Sequence, residues 1–293
     1  MTFGILGNTK SYNIFDVLNG LLEFLIEKNI DFIVDKNLKV ILKSNTLKKY
    51  TRTQDFLLKK SDILVSIGGD GTFLNTARIV GDKNIPILGV NLGSLGFMAE
   101  VTPKEIHDFI LDINDKKFKI NELCIITAKH NKKKIFHSLN DIVIDKSNSM
   151  RMIEVEIFYN DEKVIKFVGD GVIVSTPTGS TGYSMSAGGP IISPYSKVFI
   201  ITPICPHTLN VRPIIVPDDG NIRIHVHGQR EFRLTSDGYV TKVYKSPYEF
   251  TLVKADYNIR VVKRLNKTYF QTLNSKLLWG ADKRKYSKSK DYN

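Results

Sequence analysis

The sequence predicts an α/β domain on an open, mostly parallel sheet, then an all-β domain, with a C-terminal helix packing back on the first. Three observations predict this. Up to about residue 118, short apolar runs alternate with stretches of helical period, and glycine turns end the runs. Beyond that point, turn-bounded β patterns replace the alternation. Near the end, YFQTLNSKLLW (269–279) returns to helical spacing.

TFGILGN (2–8) is short and apolar, a buried strand. Ile14, Val17, Leu18, Leu21, Leu22 and Leu25 recur at three- and four-residue spacing, which is the period of a helix. DILVSI (62–67) is another buried strand and runs directly into GGDG, with a short helix carrying Leu74, Ala77 and Arg78 behind it. IPILGVN (85–91) is a third strand, ending in LGSLGF. PKEIHDFILDI (103–113) reads as a helix with proline near its start. In such a sheet ligands bind at the carboxyl ends of the strands, where these glycine turns sit. The β patterns that follow are FKINELCIITAKH, KKIFHSLNDIVID, IEVEIFYNDEKVIKFVGDGVIVS, NIRIHVHG and YEFTLVKADYNIRVVKR. NDEK (160–163) and PDDGN (217–221) read as hairpin-type turns. The expected limits are an α/β domain over 1–117, a β-rich domain over 118–265, a returning helix over 266–280 and a basic, disordered tail over 281–293.

The chain has 293 residues, enough for two domains or one large one and enough to bury a sizeable core. Its 42% hydrophobic and 25% charged content is that of a soluble globular protein. No apolar run approaches a bilayer's thickness, and MTFGILGNTK reads as a first strand rather than a signal peptide. The two cysteines, Cys124 and Cys205, are far apart and unaccompanied, which fits a reducing cytoplasm better than a disulfide or zinc framework. The net charge of +12 comes from lysines scattered over turns such as HNKKKIF and over the tail. Without an aromatic-and-basic stripe or a helix-turn-helix, it does not point to nucleic acid. It makes a solubilising surface and attracts small polyanions.

Four stretches carry chemistry. In SIGGDGTFL (66–74), Gly68, Gly69 and Gly71 at a strand end permit close backbone approach to a ligand, and Thr72 can cap the next helix. Asp70 in their midst should repel a phosphate, so it is either an Asx-type turn former or a functional carboxylate. NLGSLGF (91–97) places a second glycine turn at an adjacent strand end, lining the same crevice or simply closing a loop. GDGVIVSTPTGSTGYSMSAGGP (169–190) is crowded with hydroxyls and glycines around Tyr183. Such a segment reads as unable to bury a core and equipped to grip a nucleotide, with Asp170 accepting from an adenine amino group. SLND (138–141) offers Asn140 and Asp141, either hairpin polar residues or ligands for ribose hydroxyls.

In order, GGDGTFL, NLGSLGF, LND, GDGVIVSTPTGSTGYSMSAGGP, ITPICPHTLNVRP and SDG resemble the NAD kinase family, bacterial type, over about residues 62–238. The closing KLLWG is similar too. GGDGT alone is shared with phosphofructokinases and diacylglycerol-type lipid kinases, but the lipid kinases lack an STPTGST-type loop. The resemblance implies phosphorylation of the 2′-hydroxyl of the adenosine ribose of NAD, giving NADP. ATP or polyphosphate would be the donor and Mg²⁺ the divalent metal. Asp70 would then be the base that takes the hydroxyl proton. Gly68, Gly69, Gly71, Thr72 and Asn75 would hold the donor's phosphates, with Asp70 and Gly71 also touching NAD. Asn140 and Asp141 would bind a ribose or the nicotinamide half, and Asp170 an adenine or nicotinamide amide. Thr178, Thr181, Gly182, Tyr183, Ser184, Met185 and Ser186 would line the NAD loop, with Tyr183 as stacking face. Cys205 would line the pocket, or be a small buried hydrophobe.

The metal would offset the carboxylate–triphosphate repulsion, about 4 kcal/mol for unit charges about 4 Å apart at an effective dielectric of 20. No dedicated metal cage is visible in the sequence. A cytoplasmic homodimer or homotetramer is implied, with no membrane or nucleic-acid partner. The competing classes are a lipid kinase sharing the GGDGT loop and a non-enzymatic nucleotide-binding protein. The chain departs from the family pattern at Gly182, where alanine is usual, and at Asn75 and Val168, where basic or polar residues are common. Tyr239 stands where glutamine is common. These departures predict a looser loop and missing phosphate contacts.

Overall fold

The computed structural model describes residues 1–93 and 96–278, so the tail expected over 281–293 lies outside the described residues. Two compact units are present. The first holds Met1–Thr76, Ile85–Asn121 and the chain from Val261 onward; the second holds Ala77–Asn84 and Glu122–Arg260. The limits fall at 121/122 and 260/261 rather than at 117/118 and 265/266, and residues 77–84 count with the second unit. Unbroken strands run through both limits, so no composition change marks them. No helix among the described residues is long and apolar enough to cross a membrane.

The first unit begins β1 (Phe3–Gly7), α1 (Ile14–Glu27), β2 (Phe32–Asp35), α2 (Asn45–Lys48), β3 (Thr51–Arg52) and α3 (Gln54–Lys60). It continues β4 (Ile63–Gly68), α4 (Asp70–Val80), β5 (Ile87–Asn91) and α5 (Ile106–Asn114). Strand order is β3-β2-β1-β4-β5, parallel throughout. On the far side of β5, Val261 pairs in parallel with Ile87. Helix α1 forms where its leucines recur, and Leu18, Leu21, Leu22 and Leu25 are fully buried against β1 and β4 residues such as Phe3, Ile5 and Val65. Each contributes about 1.5–3 kcal/mol relative to exposure. The segment 32–60 carries elements too short to show a period, which hides them from sequence reading.

Two element starts differ from expectation. Helix α4 begins at Asp70, so Thr72 is not its cap; it sits in the first turn, where its carbonyl accepts from Thr76 Oγ1 at 2.9 Å. Helix α5 begins at Ile106, not at Pro103. Glu105 turns back to accept from Thr102 N at 2.9 Å and Thr102 Oγ1 at 2.6 Å, closing a separate turn before the helix.

The second unit is antiparallel. Its strands begin β6 (Lys119–His130), β7 (Lys133–Ser138), β8 (Asp141–Asp145), β9 (Ile153–Tyr159), β10 (Glu162–Gly169) and β11 (Gly171–Ser175). After the short α6 (Tyr183–Ser186) come β12 (Val198–Ile204), β13 (Ile214–Pro217), β14 (Ile222–His227), β15 (Glu231–Ser236), β16 (Val240–Lys245) and β17 (Tyr248–Lys263). The last helix, α7 (Tyr269–Leu277), belongs to the first unit, as expected of a returning helix.

One sheet runs β10-β9-β14-β17, with β6 beside β17 and β7 beside β6; the other runs β13-β12-β11-β8-β15-β16. Ile224, Val226 and Phe250 from the first meet Val172, Val174, Phe232 and Leu234 from the second in one apolar core. Asn160 and Asp161, with φ of +48° and +67°, form the two-residue turn expected at NDEK. PDDGN is not a hairpin: β13 pairs with β12, whereas β14 pairs with β9 and β17. Its residues carry the chain from one sheet to the other, and Lys254 Nζ reaches Asp218 Oδ2 there at 2.6 Å.

Candidate active site

In the first unit the two glycine turns meet. Gly68, Gly69, Asn91, Gly93 and Gly96 line one cavity of about 340 Å³ together with Asp70 and Lys276. The anion that the second turn cradles is a side chain of the protein itself. Asp70 Oδ2 accepts from Phe97 N at 2.9 Å, and Oδ1 accepts from Met98 N at 3.1 Å and Ala99 N at 3.0 Å. Lys276 Nζ completes the shell at 3.3 Å from Oδ2. Two glycines make this possible. Gly89 lets the 98–99 backbone lie against β5, since a Cβ there would come within 2.7 Å of Ala99 Cα. A Cβ on Gly96 would overlap Asp70 Oδ1 and lie 2.8 Å from its Cγ.

Gly71, Thr72 and Asn75 do not line this cavity. Thr72 is turned back against Gly68, where a glycine Cβ would strike its Oγ1. Asp70 is the single carboxylate among the described lining residues, and Asn91 Oδ1 already accepts from Gly93 N at 3.0 Å. That donor set does not make a resident cage. It suits an ion that arrives on phosphate oxygens, as Mg²⁺ commonly does. Lys276 also supplies positive charge beside Asp70, which weakens the repulsion argument for a metal.

Among the described residues one other group could hold an ion, Glu156, His225 and His227 on β9 and β14. Its carboxylate is already engaged by Lys163 Nζ at 2.7 Å and His227 Nε2 at 2.8 Å. Those hydrogen bonds, Lys163 first, lower the Glu156 pKa to about 2.

In the second unit, Asn140, Asp141, Asp170 and Tyr183 line a cavity of about 610 Å³ with Asp145, Lys146, Arg233 and Asp237. Asp141 is buried, and burial, reinforced by the Asp237 charge, raises its pKa to about 7. Asp237 accepts from the amides of Leu139, Asn140 and Asp141 at 2.9, 2.8 and 3.2 Å, and so shapes the LND turn. Burial raises its pKa, against the pull of those amides. Asp170 is paired with Lys146 at 2.8 Å, and Arg233 Nε with Asp145 at 3.1 Å. Tyr183 is 47% exposed, free to present a ring face. Asn140, which lines the cavity, has its Oδ1 buried without a partner, an acceptor a ligand could satisfy; Thr178 Oγ1 is also without a partner but Thr178 does not line the cavity.

The hydroxyl-rich stretch is not barred from the core. Val172 and Val174 sit in it, and Thr176, Ser180 and Ser184 are fully buried. Ser184 Oγ bonds Thr202 Oγ1 at 2.9 Å and faces inward rather than toward a ligand. Thr181 Oγ1 donates to Thr178 O at 3.4 Å. Met185 is half-buried and Ser186 exposed. Cys205 is exposed, at φ +42°, and is neither a buried hydrophobe nor a lining residue of this cavity. Gly182 has an ordinary φ of −97°, and an added Cβ would meet Gly179 O at 3.2 Å, so alanine fits after a small shift. Val168 and Tyr239 are exposed. Sequence reading gave no role to Lys276, Lys146, Arg233 or Asp237. Asp237 alone had a signal, the SDG motif, and Lys276 stood unread inside KLLWG.

Comparison with known proteins agrees with the motifs. Residues 3–118 match the ATP-NAD kinase N-terminal domain and 139–264 the ATP-NAD kinase C-terminal domain. An NAD kinase of Bacteroides fragilis is 40% identical over 291 residues, covering 97% of this chain and 100% of that one. One from Flavobacterium psychrophilum is 37% identical, with 97% and 100% covered. Among solved structures, yeast NADH kinase complexed with NADH aligns with a TM-score of 0.85 and 25% identity, over 96% of this chain and 89% of that chain. An NAD kinase from Archaeoglobus fulgidus in complex with ATP shares the fold, with a TM-score of 0.75 at 23% identity, over 95% and 99%. By both domain models and by near full-length identity to these relatives, the chain belongs to the NAD kinase family.

Proposed function

We propose that the protein phosphorylates the 2′-hydroxyl of the adenosine ribose of NAD to give NADP, with ATP as donor. The observation that carries this is the Asp70 carboxylate, held by three backbone amides on the wall of a glycine-lined cavity. A fixed carboxylate beside an anion-sized space is what a hydroxyl nucleophile needs. Asp70 takes the proton as the ribose oxygen bonds to the terminal phosphorus; the bond from that phosphorus to the bridging oxygen breaks, and ADP leaves. The backbone around Gly68, Gly69 and Gly93 meets the donor's phosphates. Asp70 and the glycine backbone would receive the triphosphate together with a divalent ion, which would supply charge neutralisation for the transfer.

The second unit grips the dinucleotide. Asp141, Asp170 and Asp237 suit hydroxyl and amide donors, not the pyrophosphate, and Tyr183 offers a stacking face. Asn140 Oδ1, unpartnered on the cavity wall, accepts a further donor. The reading extends to a cytoplasmic homodimer or homotetramer on the strength of the family resemblance.

The test is NADP formation from NAD, ATP and Mg²⁺, repeated with EDTA, with NADH, and with polyphosphate as donor. NADP appears, and EDTA stops it. Turnover unaffected by EDTA contradicts the metal role. Phospholipid formation without NADP moves the protein to the lipid kinases, and nucleotide binding without any product makes it a binding protein.

A further inference from the structure

Lys276 is the one cation among the described residues that line the first unit's cavity. Its ammonium lies 3.3 Å from Asp70 Oδ2. A carboxylate offers about four lone-pair sites. Here Met98 N and Ala99 N take both sites on Oδ1, and Phe97 N and Lys276 Nζ take both on Oδ2. The carboxylate is therefore saturated, and a base with no open lone pair cannot accept a proton. One donor has to leave.

The three amides cannot leave easily. Their backbone is pinned by the Gly96 N to Ala99 O bond at 3.2 Å and by the close approach of 98–99 to Gly89. Lys276 is different. Its contact, 3.3 Å, is the longest of the four, its side chain is 31% exposed, and a flexible stem carries the ammonium. The Phe97 ring lies beneath it, 4.5 Å from ring centroid to Nζ, and can hold the ammonium over the cavity once it quits the carboxylate. The helix that carries it is fixed. Thr268 and Gln271 form a capping box, Thr272 Oγ1 donates to buried Glu100 at 3.2 Å, and Leu273 is buried. Only the side chain has to move.

We propose that Lys276 is the donor-phosphate cation of this enzyme. It leaves Asp70 Oδ2 for an oxygen of the incoming triphosphate and so opens the lone pair that the acceptor hydroxyl uses. This rests on the kinase reading above and adds a residue to it.

Two experiments test it. In the first, Lys276→Met keeps the stem's bulk and removes the charge, and Lys276→Arg keeps the charge. Binding of a non-hydrolysable ATP analogue with Mg²⁺ is measured by calorimetry, beside NAD binding and steady-state kinetics. A charge-assisted hydrogen bond lost corresponds to roughly 10- to 150-fold in affinity. Analogue affinity and the KM for ATP worsen by at least about tenfold in the methionine variant. NAD affinity stays within about twofold, and arginine restores most of the loss. Unchanged analogue affinity overturns the proposal, whatever happens to kcat, since Lys276 would then only orient Asp70.

The second uses the unaltered protein and needs no folding control. Labelling by an amine reagent, read residue by residue by mass spectrometry, shows Lys276 protected by the ATP analogue and not by NAD. Absence of that protection overturns the proposal. Neither binding readout depends on turnover, so a protein that makes no NADP refutes the kinase reading separately.

Discussion

Asp70→Asn removes the proposed base, and the structure sets what else it removes. The carboxylate receives four donors, two on each oxygen. Asparagine has one acceptor oxygen and one NH₂ group, so whichever way it is turned, two donors face an NH₂. With the NH₂ in place of Oδ2, Phe97 N and the Lys276 ammonium lose their acceptor. Hydrogen bonds to a charged group are worth about 1.5–3 kcal/mol each. The Asp70 side chain is 25% exposed, and water recovers part of that. A net destabilisation of about 1–2 kcal/mol follows, or about 2–8 °C in melting temperature for a chain of this size. On top of it, kcat falls by at least about 10², the lower bound for general-base assistance. NAD binding, by calorimetry, stays within about tenfold because all the residues assigned to it except Asp70 and Gly71 lie in the second unit. Melting, calorimetry and kinetics on one preparation separate the two effects. A lower melting temperature with near-normal kcat refutes the base. A low kcat with an unchanged melting temperature refutes the four-donor shell. An Asx-type turn former would show neither change.

Three further outcomes follow from the geometry. Gly96→Ala drives a Cβ into Asp70 Oδ1, whereas Gly20→Ala, in α1 and outside the cavity, meets nothing within 4 Å. Turnover assays should therefore show a loss of at least about 10² in the first and near-normal rates in the second, and equal rates would refute the cradle. Asp141 has its pKa raised from 3.8 to about 7, so the folded form holds its proton longer than the unfolded form. Its contribution to stability is full below the unfolded pKa and is lost as pH rises through the folded one, by up to about 4 kcal/mol. Denaturation of wild type and Asp141→Asn between acid and neutral pH should show the variant gaining on wild type as pH rises, and parallel profiles would refute it. Tyr183→Ala should raise the KM for NAD about tenfold at near-normal kcat, from a lost stacking face worth about 1–3 kcal/mol; a fall in kcat alone would place Tyr183 in the chemistry.

Strands β1, β4 and β5 of the first unit were legible because each is a short apolar run that ends at a glycine or runs into a glycine turn, whereas β2 and β3 are too short and lack that mark. That two such turns share a cavity followed from adjacent strand ends. What holds Asp70 was not legible, since its partners lie 27, 28, 29 and 206 residues away and no local period connects them. The hydroxyls of the second unit misled for a different reason. Ser184 and Thr181 read as lining the loop, but Ser184 Oγ is buried against Thr202 Oγ1 at 2.9 Å and Thr181 Oγ1 donates to Thr178 O at 3.4 Å. Hydroxyls satisfied within the fold and exposed ones awaiting a ligand spell the same letters. At PDDGN the turn residues fix a local change of direction, but the pairing of β13 and β14 depends on strands far away in the chain.

The long reach from Asp70 to Lys276 also orders events in time. A ribosome adding about 5–20 residues each second needs on the order of 10–40 s to cover that interval. Throughout it, the nascent first unit lacks both its last helix and the Val261 partner of β5, while the whole second unit is being made. Contacts this distant slow folding, because a long loop must close before they form. An incomplete chain can thus own the entire dinucleotide grip and still lack the ammonium assigned to the donor. On the proposed assignment the donor cation arrives only with the last described helix, so chains terminated before it are expected to show no ATP consumption in a turnover assay.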